Sequence, residues 1–228
     1  MNITNNVNLI QGSGISKTKF VQLLSTSTQV ESNGSIEVTI DYSTISQAKI
    51  IADDNIVDYI TLTQKGNKLS IGLQDNISIA PKIKLQVQLT LPLYTKKLNL
   101  HGSGSIKGSS ICEQIEEIEL YGSGGIVIER LRTVCTFITV SGSGYVTVAK
   151  GEIGLLHSTV NGSGKIITKG TNAIDGVAVV NGSGNISIKV QNSLDAKVNG
   201  SGKITYCCDG TVTQKTNGSG KIINESLK

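Results

Sequence analysis

The fold is decided by a seven-residue stretch, V-N-G-S-G-K-I at residues 160–166, which returns unchanged at residues 198–204. Its Gly-Ser-Gly centre recurs through the second half of the chain, beginning at residues 102, 122, 142, 162, 182, 200 and 218. These starts are 20 residues apart as far as residue 182 and 18 residues apart beyond it, and one further copy begins at residue 12. A fixed period near twenty residues is the signature of a solenoid, in which every repeat forms one coil.

The residues that flank Gly-Ser-Gly alternate between apolar and polar, as in I-S-I-K-V at residues 186–190. A period of two predicts β-strands with one face turned inward, and no segment shows the spacing of a helix. An antiparallel meander is the alternative, because Asn-Gly between strands is a strong hairpin signal. Each repeat, however, carries only one strongly marked corner, which favours coils stacked in parallel. The sequence therefore predicts an all-β, single-domain β-helix, or solenoid, with right-handed, parallel coils of about 20 residues.

The chain divides into a strictly periodic part and a less regular part. We expect residues 98–228 to form the Gly-Ser-Gly repeat β-helix. Residues 1–97 keep the alternation of strands without the period, and Gly66-Asn67 is predicted to be a hairpin turn between two of them. A solenoid leaves an unpaired strand edge at its end. We therefore predict that residues 1–97 cap the coils with irregular β-structure and are continuous with them, as one structural domain overall.

Stacking would align equivalent side chains into ladders along the solenoid. The glycines of the motif share the parity of the inward residues, which predicts a sharp bend or a close approach of the backbone. The serines and asparagines have outward parity, and stacked asparagines can hydrogen-bond from coil to coil. Lysines follow the motif in three repeats. The predicted ligand-facing ladders are Asn161, Asn181, Asn199 and Asn217, then Ser163, Ser183, Ser201 and Ser219, and finally Lys165, Lys203 and Lys221.

The glycines fit no nucleotide- or metal-binding motif. A Walker loop needs Ser or Thr after its Lys, but Ile166 follows Lys165, and the dinucleotide fingerprint lacks its third Gly. The repeat also has no regular Asp of the kind that binds calcium in β-rolls. The two histidines, His101 and His157, are predicted to be solvated surface residues rather than metal ligands. We therefore predict no cofactor and no metal site.

Glu117 and Glu119 are the best candidates for catalysis. Both flank the inward Ile118, so their side chains point outward, about 7 Å apart along the strand. That separation suits the two carboxylates of an inverting glycosidase. Lys97, however, lies one coil before Glu117 and would form a cross-strand charge pair with it. A polysaccharide-active enzyme that uses Glu117 and Glu119 is therefore the alternative, and a protein without enzymatic activity is the main prediction.

Composition argues against a nucleic-acid partner and a membrane-spanning segment. The net charge is only +4, and Arg130 and Arg132 are the only arginines, whereas nucleic-acid-binding domains concentrate basic residues on one face. No segment approaches the roughly 18 apolar residues of a transmembrane segment. The first ten residues, M-N-I-T-N-N-V-N-L-I, lack the basic start and apolar run of a leader. We therefore expect no leader in this sequence, which leaves two alternatives open: a cytosolic protein, or an exported one whose leader has been removed.

The order of features resembles one bacterial family. I-E-V-T-I at residues 36–40 is followed by I-I-A-D-D-N-I-V-D-Y-I at 50–60, K-G-N-K-L-S-I at 65–71 and L-T-L-P at 89–92, and then by repeated G-S-G-x-I. This series, which covers nearly the whole chain, resembles the auto-transporter adhesin family whose domain is called head GIN. The Gly-Ile-Asn-like element is altered here to Gly34-Ser35-Ile36-Glu37.

The resemblance implies a β-helical protein of a Gram-negative bacterium that is exported to the cell surface, the outer membrane or the periplasm. It implies no enzymatic activity, no cofactor and no particular binding residue. We therefore predict a non-enzymatic binding or structural module, an adhesin that presents stacked Ser, Asn and Lys ladders to a polysaccharide or a surface protein. A homo-oligomer is compatible with this prediction, and a purely structural spacer is the remaining alternative.

Overall fold

The computed structural model describes residues 9–24, 26–92 and 95–225 of the 228-residue chain, without the side chains of Ser110 and Ile111. The expectation about a leader rests mostly on residues 1–8, and these lie outside the described residues. Strand makes up 72% of the described residues. Within the described ranges, the helical structure consists of one 3₁₀ turn, Val57–Tyr59.

The strands fall into an N-terminal group and a coil-forming group. The N-terminal group comprises β1 (Leu9–Gln11), β2 (Ser16–Gln22), β3 (Gln29–Gly34), β4 (Glu37–Tyr42), β5 (Gln47–Asp53), β6 (Ile60–Lys65), β7 (Lys68–Leu73), β8 (Ser78–Ala80) and β9 (Gln86–Leu91). The coil-forming group comprises β10 (Lys97–Gly102), β11 (Ser105–Glu113), β12 (Glu117–Gly122), β13 (Gly125–Gly142), β14 (Tyr145–Gly162), β15 (Lys165–Ile167), β16 (Thr171–Gly182), β17 (Asn185–Gly200), β18 (Lys203–Cys208), β19 (Thr211–Asn217) and β20 (Lys221–Asn224).

From residue 97 onward, each coil pairs in parallel with the next, in a register set by the repeat. The first glycine of each motif lies opposite the first glycine of the following one, from Gly102 opposite Gly122 to Gly182 opposite Gly200. The prediction of an all-β solenoid of parallel coils is therefore confirmed.

The core consists of columns of aliphatic side chains inside the coils. The residue two positions before each motif is fully buried in six successive coils, and the residue four positions after its first glycine is buried in the same way. The last coil differs, because Gln214 and Thr216 take the inward positions and are exposed. A terminal coil has a neighbour on only one side, so polar residues there keep an apolar surface from facing water.

The glycines of the motif serve the two purposes that the sequence predicts. At Gly142 the backbone bends with φ of +127°, a value that residues with a Cβ rarely adopt. At Gly144 the backbone approaches its neighbour closely, since a Cβ there would lie 2.4 Å from the carbonyl oxygen of Gly124 and 2.6 Å from Leu120 Cδ2. Every coil can therefore stack directly on the previous one at the corner.

The N-terminal region contains a coil of its own. Strands β3 and β4 pair in parallel with β10 and β11, and Gly34, with φ of +89°, lies opposite Gly102. The altered element Gly34-Ser35-Ile36-Glu37 therefore forms a corner equivalent to the others, in which Ile36 takes the place of the second glycine and is buried. Strands β7 and β9 stack below this coil, again in parallel.

Antiparallel strands then close this end of the solenoid. Strand β6 pairs with β7, and β5 pairs with both β9 and β2. The predicted hairpin at Gly66-Asn67 is confirmed between β6 and β7, and Gly66 has φ of +59°. The less regular N-terminal β cap is thus present, while the division of the domain at residue 97 stays a prediction.

Candidate functional site

The predicted ligand-facing residues lie together along one corner of the solenoid. We call this surface the corner strip and define it by the asparagines, serines and lysines of four repeats: Asn161, Asn181, Asn199, Asn217, Ser163, Ser183, Ser201, Ser219, Lys165, Lys203 and Lys221. Within one repeat they occupy three successive outward positions around the corner. Neighbouring members of each ladder are one coil apart, about 4.8 Å, except that Asn185 lies between Lys165 and Lys203.

The asparagines form the hydrogen-bonded ladder that the sequence predicts. Asn181 donates to Asn161 over 2.9 Å, Asn199 donates to Asn181 over 2.8 Å, and Asn217 donates to Asn199 over 2.8 Å. Asn181 and Asn199 each use one N–H and one oxygen lone pair in the ladder and retain the others, whereas Asn161 only accepts and Asn217 only donates. The ladder therefore stabilises the corner, and its role in binding stays a prediction.

The serines and lysines of the corner strip are accessible to solvent. All four serines are exposed, and only Ser201 and Ser219 hydrogen-bond to each other, over 3.1 Å, among the described residues. Lys165, Asn185, Lys203 and Lys221 follow one another in register along the strands. The three lysines are exposed and form no ion pair within the described part of the chain. The strip is therefore hydroxyl-rich and cationic.

Glu117 and Glu119 are held by an ammonium group. Both point outward beside buried Ile118, and Nζ of Lys97 lies 2.8 Å from Glu117 Oε2 and 2.9 Å from Glu119 Oε2. Partial burial of Lys97 favours its neutral form, but the hydrogen bonds to the two carboxylates outweigh burial and raise the pKa of Lys97. The predicted charge pair between Lys97 and Glu117 is confirmed.

This arrangement does not suit the glycosidase hypothesis. Because Glu117 Oε2 and Glu119 Oε2 both lie within 2.9 Å of Lys97 Nζ, the distance between these two oxygens is less than twice 2.9 Å. An inverting enzyme needs about 6.5–9.5 Å between its carboxyl groups, with a water molecule between them. Here Lys97 bridges the two groups. The two oxygens bound to Lys97 are therefore closer together than that range, and charge pairing accounts for their arrangement. A catalytic role for Glu117 and Glu119 stays an untested prediction.

Two aromatic stacks lie on the strand before the corner, and sequence reasoning missed both. The rings of His101 and Tyr121 stack with centroids 4.9 Å apart, and those of Phe137 and His157 stack 4.6 Å apart. Each pair is separated by one period of 20 residues, and this spacing is the signal that could have revealed them. The described residues contain no cluster of three or more side chains that could hold a metal ion.

The cysteines carry no recognisable chemistry. Cys112 and Cys208 are buried, Cys135 and Cys207 are half-buried, and none of the four forms a disulfide bond within the described part of the chain. Burial raises the pKa of the Cys112 thiol to about 11. A thiol with such a raised pKa is a poor nucleophile near neutral pH, in line with the prediction that these are small, partly buried side chains.

Comparison with known proteins assigns the family. Residues 27–210 match the family described as "Putative auto-transporter adhesin, head GIN domain". The chain belongs to this family. No curated protein matches this head GIN sequence.

Solved structures share the fold over nearly their full length. A "putative adhesin" from Bacteroides fragilis is 22% identical, with a TM-score of 0.86 over 94% of this chain and 99% of that one. A "putative adhesin" from Parabacteroides merdae is 19% identical, with a TM-score of 0.76 over 95% and 98%. A "putative lipid binding protein" from Parabacteroides distasonis is 23% identical, with a TM-score of 0.76 over 95% and 99%. At these identities the likeness establishes the fold.

The family name indicates a non-enzymatic, adhesin-like role for this head GIN protein. It also indicates an exported or surface protein. Within the described ranges, no helix has the length and apolar character needed to cross a bilayer.

Proposed function

We propose that this head GIN protein is a non-enzymatic binding module that holds a linear polysaccharide along its corner strip. The observation that carries the proposal is the set of exposed lysines, Lys165, Lys203 and Lys221, which stand in one register without an ion pair among the described residues. A charged side chain without a partner is available to an external anion. Each contact is weak, and repetition along the strip raises the overall affinity.

The chemistry of the strip favours a polymer that carries both carboxylates and hydroxyl groups. Serine hydroxyls and the remaining amide groups of the asparagines both donate and accept hydrogen bonds, which suits the hydroxyl groups of sugars. The lysines suit uronic-acid carboxylates. A lipid would need an apolar surface, and the strip is polar throughout. The sequence predicts a surface protein as the second kind of partner, and the exposed lysines of the strip would favour one that is acidic.

Removing the three lysines should abolish most of this affinity. We expect the triple variant K165A/K203A/K221A to bind polygalacturonate at least tenfold more weakly than the unmodified protein, because three charge contacts are lost together. Retardation in a native gel containing polygalacturonate measures this, and the difference should shrink as salt rises, since salt screens exposed charges.

The matched control is K150A/K169A/K189A, which removes the same charge from three exposed lysines that lie seven or eight residues after the first glycine of their motifs, outside the corner strip. Equal weakening by both variants would mean that only net charge matters and would contradict a role for the corner strip. Binding that survives in K165A/K203A/K221A would also contradict the proposal.

Such a module would act outside the cytoplasm, and we propose the cell surface as its location. Protease treatment of intact producing cells should then remove the protein as completely as protease treatment of lysed cells does. An antibody against the protein detects the loss. A cytoplasmic marker protein must resist protease in the intact cells. Protection of the head GIN protein until lysis would place it in the periplasm or the cytoplasm instead.

A further inference from the structure

Tyr145 places an aromatic ring beside the first lysine of the corner strip, Lys165. The outward position directly after the corner is occupied in successive coils by Glu37, Ser105, Gly125, Tyr145 and Lys165, which lie opposite one another in parallel register. Gly125 is the only residue without a side chain in this column. Tyr145 therefore lies between the cationic ladder on one side and a stretch of small residues on the other.

The ring of Tyr145 lies over Gly125 of the neighbouring coil. A Cβ at Gly125 would be 2.4 Å from Cζ and 2.7 Å from the hydroxyl oxygen of Tyr145. Any side chain at residue 125 would therefore displace the ring. The ring covers the backbone of that coil, yet 45% of Tyr145 remains exposed. Gly125 and Tyr145 together form an aromatic platform on the β-surface.

A shallow cavity of about 240 Å³ continues from this platform toward the N-terminal cap. Its walls include Ser103, Ser105 and Ser123, and the ion pair between Lys84 and Glu37 closes its far end. The hydroxyl groups of the three serines and of Tyr145 have no hydrogen-bond partner within the described part of the chain. The cavity therefore combines one accessible ring face with several unpaired hydroxyl groups.

We propose that Tyr145 anchors a sugar-binding subsite in which one pyranose ring packs its C–H face on the tyrosine ring. The hydroxyl groups of that sugar hydrogen-bond to Ser105 and Ser123, and the carboxylate of the next sugar reaches Lys165, one coil further along. The apolar face of a pyranose and its ring of hydroxyl groups match an aromatic side chain bordered by polar groups. The ligand class is a linear polysaccharide that contains uronic acids, so this inference rests on the proposed function.

Three variants test separately what the ring, the orientation of the ring and the hydroxyl group of Tyr145 contribute to binding. Y145A removes the ring, and we expect the Kd for a tetragalacturonate probe to rise about tenfold, as for a buried aromatic contact. G125A keeps the ring but displaces it with a methyl group, so we expect a similar rise. Y145F keeps the platform, and its Kd should stay within about threefold, the effect of losing one hydrogen bond.

Isothermal titration calorimetry with the full chain measures these changes, and F137A, which removes another exposed aromatic residue, is the control. Circular dichroism checks that every variant is folded. If Y145A and G125A bind as the unmodified protein does while K165A/K203A/K221A binds weakly, the subsite is disproved and the proposed function stands. If the unmodified protein binds neither polygalacturonate nor the tetramer, both are overturned.

Discussion

Gly142→Ala should lower the free energy of unfolding by about 3 kcal/mol, because it combines a strained backbone with an overlap. Gly142 has φ of +127°, and a Cβ there would lie 2.4 Å from the carbonyl oxygen of Gly122. That oxygen belongs to the backbone of the neighbouring coil and accepts hydrogen bonds from the backbone N–H groups of Ser143 and Gly144. The overlap can be relieved only if the two coils separate at the corner.

Thermal unfolding followed by circular dichroism measures this effect, which corresponds to a fall in Tm of about 10 °C for a chain of this size. Ser143→Ala changes the exposed neighbour in the same corner and should leave Tm nearly unchanged. Gly218→Ala creates an equivalent overlap, 2.5 Å from the carbonyl oxygen of Gly200, but in the last corner. The terminal coil can separate without disturbing the others, so Gly218→Ala should lower Tm by less than Gly142→Ala does. An equal fall in Tm for the variants at residues 142, 143 and 218 would contradict this account of the corner.

Asp53→Asn should destabilise the N-terminal cap and alter its response to acid. Asp53 is fully buried at the end of β5, and its carboxylate accepts backbone N–H groups from Gly14 at 2.6 Å, Ile83 at 3.0 Å and Lys82 at 3.1 Å. Burial alone would raise the pKa of this carboxyl, but the hydrogen bonds from Ile83, Gly14 and Lys82 outweigh burial and hold it below its usual value. Asparagine would turn an N–H group toward these donors.

The sign of the pH dependence follows from that lowered pKa. A carboxyl with a lowered pKa in the folded state stabilises the protein above its unfolded pKa of about 3.9, and this stabilisation is lost as pH falls through the folded pKa. We expect the Tm of the unmodified protein to exceed that of D53N by several degrees at neutral pH, with the gap closing in acid. Asp58, whose pKa is lowered by Lys19 and Lys17, is present in both proteins and does not affect the gap. A gap that is constant with pH would contradict the role of the charge.

Side-chain chemistry on the outer surface of the solenoid was predictable only in part. The asparagine ladder and the pair of Lys97 with Glu117 follow from the period, because outward residues one period apart become neighbours in a parallel stack. The position of the Tyr145 ring does not follow from the period. It depends on the missing side chain of Gly125. The only indication in the sequence is G-S-G-G at residues 122–125, where a glycine follows the Gly-Ser-Gly motif. The bridge from Lys97 to Glu119 likewise depends on a rotamer that no spacing specifies.

The sequence by itself determined the strands, the inward and outward faces and the register of the coils, since all three follow from a period of two within a period near twenty. Only the tertiary structure decided the order of the coils at the N-terminal end, where β3 and β4 stack directly under β10 and β11 although more than 50 residues lie between. It also decided that Gly12-Ser13-Gly14 is no corner, because Asp53 lies against Gly12 and binds Gly14. The reason is physical: a local pattern specifies which face of a strand is buried, but long-range hydrogen bonds select which strand lies beside it.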